Sequence, residues 1–285
     1  MAASAPLPIA WLNGAWLPIE TARVSPLDRG FLFGDAVYEV IAVYGGRAVL
    51  PDEHLARLSR SLAALAIADP YDAAGWRALI AGLIARNGDS DMGLYLQISR
   101  GTDHGRDHAF PAGIAPTVFA MATPLRPFDL DRAAVSAITA PDNRWGRCDI
   151  KTTALLANVL LRQAAAAAGA GETILLRDGW LTEGSGSTVA TIEGGVLVTR
   201  PEGSDILPGT TIRLIRQLAS AIGIRYREEP VSEARLRAAD EIWLTAALRG
   251  VVPVTTLDDR PVGRGTPGPH WRAVAEAYER HKRTT

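Results

Sequence analysis

One stretch near the middle of the chain, TPLRPFDLD at residues 123 to 131, does most to limit what the sequence can fold into. Proline and charge cluster there, which marks a linker and divides the 285 residues into two domains of comparable size. We place the linker at 125–129, with an N-terminal α+β domain at 1–124 and a C-terminal α/β domain at 130–285. Upstream, Ile9 to Ile19 reads as a hairpin, with Asn13-Gly14 as the type I′ turn signal. SPLDRGFLFGD follows as a loop. AVYEVIAVY then alternates, with Val37, Glu39, Ile41 and Val43 on one face and Tyr38, Val40, Ala42 and Tyr44 on the other. Gly45-Gly46 turns it into a short return strand. Asp52 is a candidate cap for a helix carrying Leu55, Leu58, Leu62 and Leu65. A second helix holds Trp76, Ile80, Leu83 and Ile84 and stops at Asn87-Gly88. Strands at Gly93 to Ser99 and Thr117 to Ala122 flank a polar loop, RGTDHGRDHAFPAG. An antiparallel sheet with two helices is an α+β pattern.

Downstream, the spacing predicts a strand at 133–140 and an Ala/Leu-rich helix ending near Gly169. Strand Thr173 to Arg177 turns at Asp178-Gly179, and VATIEGGVLVT forms a hairpin. Helices follow at Thr210 to Ile222 and at about His270 to His281, with strands near Ile224 to Arg227 and Glu241 to Ala246 around a short helix.

Net charge is −1, so composition offers no nucleic-acid or membrane surface. The single cysteine, Cys148, excludes an internal disulfide framework and a Cys-based zinc site, and no metal site is expected. The N-terminal stretch MAASAPLPIAWLNG lacks a basic region and a long apolar core, and no run approaches membrane-spanning length. A soluble, cytoplasmic protein is the expectation.

The chain holds two lysines against 28 arginines. Lys282 falls in the charged C-terminal tail, where a solvated role is expected. Lys151 stands mid-chain in NRWGRCDIKTT. An arginine supplies charge equally well; only a lysine supplies an amine that loses its proton and attacks a carbonyl. A lysine that forms a Schiff base with pyridoxal phosphate needs three kinds of partner: an acid at the pyridine nitrogen, donors for the phosphate, and a grip on the substrate carboxylate. Glu183 lies in the Gly/Ser-rich TEGSGST, read as a turn between strands. Gly209, Thr210 and Thr211 open a helix, a geometry that suits an anion. Arg57 sits inside the leucine-periodic helix, and a buried-side arginine without an acidic neighbour calls for an anion. Each of these residues taken singly also has a plain structural account, as a solvated glutamate, a capped helix start or a snorkelling arginine.

Taken together they resemble the fold-type IV pyridoxal-phosphate enzymes, and among them the bacterial D-amino-acid transaminases. The resemblance runs through DRGFLFGDAVYEV, EHLARL, SRGTDHGRDHAFP, RWGRCDIK, LTEGSGS and ILPGTT, in order, over nearly the whole length. It implies a two-domain α+β fold with the pyridoxal 5'-phosphate cofactor held in an interdomain cleft. It also implies that Lys151 is the Schiff-base lysine and Glu183 the partner of the pyridine nitrogen. Arg57, Arg144 and the Gly209-Thr210-Thr211 helix start would hold the phosphate. Tyr38, Arg106 and His108 would grip the substrate carboxylate, the last two on a loop that this family contributes from the neighbouring subunit of a homodimer. The reaction implied moves an amino group between a D-amino acid and a 2-oxo acid such as pyruvate or 2-oxoglutarate.

The pattern departs from the family in two places. Gly186 and Thr188 interrupt the serine run after the glutamate, and Ala246, Ala247 and Leu248 stand where hydroxyl donors to the phosphate are usual. An (R)-selective amine transaminase is therefore an alternative. Branched-chain aminotransferases usually carry a glycine and an arginine where this chain has Val40 and Ala42, and a glycine pair and an asparagine where it has Thr152, Thr153 and Ala154. An aminodeoxychorismate lyase would not need the Arg106/His108 pair. A non-catalytic carrier of the cofactor would not need Lys151, Glu183 and Tyr38 together.

Overall fold

The structure, a computed structural model, describes residues 5–88 and 90–284. Residues 1–4, the start of the N-terminal stretch read above, lie outside them. The chain separates into two compact units. The first comprises residues 1–126 and the excursion Ile150–Leu155, and the second 127–149 and 156–284.

The first unit is built on a six-stranded sheet in the order β2-β1-β6-β5-β3-β4, antiparallel at every pairing. β1 (Ile9–Leu12) and β2 (Ala15–Pro18) form the expected hairpin, with Asn13 and Gly14 both at positive φ. Next comes a short helix α1 (Arg29–Phe33), where the sequence suggested only a loop. Asp28 accounts for it: its side chain accepts the Gly30 amide and caps a helix too short to show a period. β3 (Ala36–Tyr44) and β4 (Arg47–Ala48) follow as a hairpin. Helix α2 (Pro51–Ala64) starts with proline at its first position and has no side-chain cap. Asp52, expected to cap it, lies in its first turn and pairs with Arg77. α3 (Ala73–Asn87), β5 (Met92–Ser99) and β6 (Thr117–Pro124) complete the unit. Leu58 and Leu62 of α2 pack on β3, whose inward face carries Val37, Ile41 and Val43, and Trp76, Ile80 and Leu83 of α3 join the same core over β1 and β6.

The second unit holds a nine-stranded mixed sheet. Its elements are β7 (Val135–Pro141), α4 (Leu156–Ala167), β8 (Glu172–Arg177), β9 (Trp180–Gly184), β10 (Thr188–Glu193) and β11 (Val196–Thr199). These are followed by α5 (Thr210–Ala221), β12 (Arg225–Glu228), α6 (Glu233–Ala238), β13 (Glu241–Ala246), β14 (Gly250–Leu257), β15 (Arg260–Pro261) and α7 (Pro269–Thr284). The strand order is β12-β11-β10-β13-β14-β7-β8-β9, with β15 on β14. Central strands such as β14 are buried along most of their length and show no alternation, so Val251, Val252 and Val254 escaped a period-two reading.

Two expectations change. Lys151, assigned by sequence to the C-terminal domain, packs with the first unit, because its segment pairs with β3. Lys282, expected in solvent, is buried: helix α7 turns it inward, where its amine meets Glu279 at 2.5 Å and lies 5.7 Å from the Phe128 ring centre. No helix among the described residues is long and apolar enough to cross a membrane.

Candidate active site

In the first unit, β3 and α2 build a polar nest beneath Lys151. The lysine segment runs beside β3: the Tyr38 amide donates to the Lys151 carbonyl at 2.9 Å, and the Thr153 amide donates to Ala36 at 3.0 Å. The Lys151 amide donates to Ser61 Oγ of α2 at 3.2 Å. With its backbone held on two sides, Lys151 extends its amine over Tyr38, Nζ lying 4.2 Å from the ring centre. Both side chains are half-buried, so the amine is sheltered yet reachable.

Helical spacing puts His54, Arg57 and Ser61 on one buried face of α2. Their opposite number is Glu39, fully buried on β3 beside Tyr38. Arg57 donates Nε to one Glu39 oxygen at 2.7 Å and a second nitrogen to the other at 2.8 Å, and His54 Nδ1 meets the same carboxylate at 2.7 Å. Arg57 thus does have an acidic neighbour, one supplied by the sheet; the sequence argument that it lacked one is corrected. Burial alone would raise the Glu39 pKa, but the Arg57 charge and hydrogen bond, with His54, hold it down at about 2. His54 is lowered, chiefly by burial and against the pull of Glu39, with Arg57 and Lys151 adding to the depression. Glu39 and His54 were not singled out from the sequence. The signal was present: a carboxylate on the apolar face of an alternating strand needs a buried cation.

Arg106 and His108 lie exposed on the loop between β5 and β6. Both approach the Phe33 ring, the Arg106 guanidinium at 5.1 Å and the His108 ring at 5.2 Å. Tyr38 is not in this cluster; its ring neighbour is Tyr95 at 5.6 Å, whose hydroxyl is pushed up to about 12 by burial and by Tyr38.

In the second unit, Glu183 is buried near the end of β9, not in a solvated turn. It forms an ion pair with Arg144 and accepts the Leu207 amide at 3.2 Å. Arg144 also forks onto Asp142, at 2.9 and 2.8 Å, and donates to the Asp205 carbonyl at 3.2 Å. Despite burial, these carboxylates raise the Arg144 pKa and keep it charged. Its donors are engaged by these groups, which makes Arg144 the partner of Glu183 where the sequence suggested a phosphate ligand. The Leu207 contact ties Glu183 to ILPGTT, the stretch that opens α5. Gly209 is the N-cap there and has no side-chain cap bond. A Cβ at Gly209 would come within 2.8 Å of Thr188 Oγ1 and 2.9 Å of Ile212 Cγ2, so any larger residue would force these side chains to shift. Opposite Thr188 in the ladder, Thr245 carries a buried hydroxyl with no hydrogen-bond partner. An amide-rich helix start beside an unsatisfied hydroxyl fits a phosphate group. Ala246, Ala247 and Leu248 follow Thr245 and add no side-chain donors.

Residues 36–257 match the amino-transferase class IV family, and the chain belongs to it. It is 40% identical over 268 residues to D-alanine aminotransferase of Bacillus licheniformis, covering 94% of each chain. It is 36% identical over 273 residues to the same enzyme of Staphylococcus aureus strain MW2, covering 95% of this chain and 96% of that one. Among solved structures, Escherichia coli branched-chain amino acid aminotransferase superposes with a TM-score of 0.87 at 26% identity, covering 96% and 94%. The T.th. branched-chain amino acid aminotransferase complexed with N-(5'-phosphopyridoxyl)-L-glutamate superposes at 0.88 with 25% identity, covering 98% and 95%. The α+β fold-type IV architecture and the aminotransferase activity expected from the sequence are thereby borne out.

Proposed function

We propose that this aminotransferase uses pyridoxal 5'-phosphate to move an amino group between a D-amino acid, such as D-alanine or D-glutamate, and a 2-oxo acid. The observation that carries the proposal is the setting of Lys151: the one mid-chain lysine, backbone-clamped to β3, with its amine over Tyr38. A phosphopyridoxyl group in a relative of the same fold supports the cofactor. The D-alanine aminotransferases match at 34–40% identity and the branched-chain structures at about 25%, which favours D-amino acids over the branched-chain reading.

When bound, the cofactor supplies an electron sink for the pair left at Cα as its proton departs. Lys151 Nζ removes that proton and returns it, acting as base and then as acid. Glu183 would pair with the pyridine nitrogen, and Arg144 and the Leu207 amide hold its carboxylate in place. Arg57 and the amides of Gly209, Thr210 and Thr211 would hold the phosphate. Tyr38, Arg106 and His108 orient the α-carboxylate and so select the hand of the substrate. We extend the proposal to a homodimer in which the Arg106/His108 loop serves the neighbouring subunit. The exposed apolar stripe Leu156, Val159 and Leu160 on α4 supports an association surface.

The test is a half-reaction screen. Holoenzyme is mixed in turn with D-alanine, D-glutamate, L-leucine and (R)-1-phenylethylamine, and conversion to the pyridoxamine form is followed by absorbance. The expected result is fastest conversion by D-alanine or D-glutamate. Faster conversion by L-leucine or by the amine refutes the substrate assignment.

A further inference from the structure

Arg29 is almost wholly buried at the start of α1, far from Arg106 and His108 in sequence. Its own amide donates to the Gly101 carbonyl at 2.9 Å. Its guanidinium then reaches into the loop that follows. One terminal nitrogen donates to the Asp107 carbonyl at 2.7 Å and the other to the His108 carbonyl at 3.1 Å. Nε donates to Asp35 at 2.8 Å, and Asp103 lies 3.6 Å away. Asp35 is in turn gripped by both sides of Arg100, at 2.8 and 3.0 Å. The bonds that hold Arg29 in place are thus themselves part-buried and braced.

The rest of the loop has little to hold it. Residues 104–109 are exposed, and their other hydrogen bonds are local, from the His104 amide to Asp103 and from the Ala109 amide to Asp107. Among the described residues, the hydrogen bonds that tie 104–109 to another part of the fold come from Arg29. Phe33, one turn along the same short helix, adds the ring on which Arg29, Arg106 and His108 converge, at 4.9, 5.1 and 5.2 Å. A planar fork addressing two successive loop carbonyls while Nε holds Asp35 is geometry a lysine cannot reproduce.

We propose that Arg29 is the positioning residue of the carboxylate-reading loop, fixing the backbone at Asp107 and His108, directly after Arg106, so that both side chains are presented in one arrangement. The proposal rests on the reading that Arg106 and His108 grip the substrate carboxylate. Arg29 touches no substrate. It lowers the entropy of ordering the loop each time a substrate binds, and that gain is shared by bound substrate and transition state. Its loss therefore falls on KM and spares kcat.

The test compares full-length holoenzyme with Arg29→Lys, which keeps the buried charge beside Asp35, and with Arg106→Ala. For Arg29→Lys we expect KM for D-alanine to rise roughly tenfold, as for the loss of one charge-assisted hydrogen bond, with kcat within about twofold. Amide hydrogen exchange should quicken across 103–109 and stay unchanged in β3 and β5. Affinity of the apoenzyme for pyridoxal phosphate, read by fluorescence titration, should not move. If Arg106→Ala raises KM while Arg29→Lys alters neither KM nor loop exchange, the positioning role is overturned and the carboxylate reading stands. If Arg106→Ala leaves KM unchanged, the carboxylate reading itself fails. Weakened cofactor binding, or loss of cooperative unfolding in Arg29→Lys, would make Arg29 a general fold residue and overturn the proposal as well.

Discussion

Replacing Glu39 with glutamine should damage stability and cofactor binding together, and the size of the effect follows from its burial. The carboxylate is fully buried and accepts from Arg57 at 2.7 and 2.8 Å and from His54 at 2.7 Å. Its pKa falls from the ordinary 4.5 to about 2, the Arg57 charge and both hydrogen-bond partners together outweighing desolvation. A drop of that size corresponds to about 3 kcal/mol of stabilisation at neutral pH. Removing one member of a buried ion pair costs about 3–5 kcal/mol by a separate route, so the two arguments agree. For a unit of this size, about 3 kcal/mol lowers the melting midpoint by roughly 10 °C. The pH dependence has a fixed sign. Because the folded pKa is depressed, the Glu39 contribution is complete above pH 4.5 and is lost as pH falls toward 2. His54, also depressed from 6.5, contributes fully above that value and declines as pH drops below it. Thermal unfolding followed by near-ultraviolet circular dichroism at pH 7, 5 and 3.5 would measure both effects. Glu39→Gln should melt well below the parent at pH 7, and the gap should narrow at pH 3.5. Because Glu39 also aims Arg57, apoenzyme titrated with pyridoxal phosphate should bind roughly tenfold more weakly. A variant that melts within about 2 °C of the parent at pH 7, with the acid slope retained, would refute the reasoning.

Lys151→Ala should abolish the visible absorbance that borohydride bleaches and slow transamination by about a thousandfold or more; a normal rate would remove Lys151 from the chemistry. Glu183→Gln should lower turnover before it lowers affinity, because Arg144 still has Asp142 to hold it; steady-state rates set beside cofactor titration would separate the two. Arg106→Ala should raise KM for D-alanine by roughly a hundredfold and barely affect a carboxylate-free (R)-amine; equal losses for acid and amine would assign Arg106 to the fold or to the association of subunits.

Local chemistry made much of the fold legible. Asn13-Gly14 and Gly45-Gly46 carry their turns within two residues, and both hairpins stand where those pairs put them. The leucine period of α2 marks the face that packs on β3, and the apolar positions of α3 mark the face that joins the same core over β1 and β6. Elements too short to show a period, or whose cause is not local, were missed. α1 is five residues long and exists because Asp28 caps it. β9 hides in a glycine- and serine-rich stretch, and pairing with β8 gives it strand form. Lys151 joins the first unit through main-chain bonds to Ala36 and Tyr38, which no composition reports.

The site was legible in its members and less so in their partners, and the arginines show why. Arg57 looked like a cation in search of an anion because its buried counter-charge does not come from its own helix, and Arg144, although Asp142 stands two residues before it, takes a second acid from farther away. In each case the acid comes from elsewhere in the fold: Glu39 is 18 residues from Arg57, and Glu183 is 39 residues from Arg144. Spacing along one helix or turn therefore shows the cation and not the buried acid that a sheet strand brings to it. The reverse search works better. A carboxylate on the apolar face of a strand, as Glu39 is in AVYEVIAVY, cannot be buried alone, since desolvation would protonate it or unfold the unit. Its presence requires a cation from whatever packs on that face, and the element packed there is the leucine-periodic helix that carries His54 and Arg57. On the proposed reading Arg57 would serve two anions of different permanence. Glu39 fixes the guanidinium before any cofactor arrives, so a phosphate binding beside it meets a donor already held in place and bears less of the cost of ordering it.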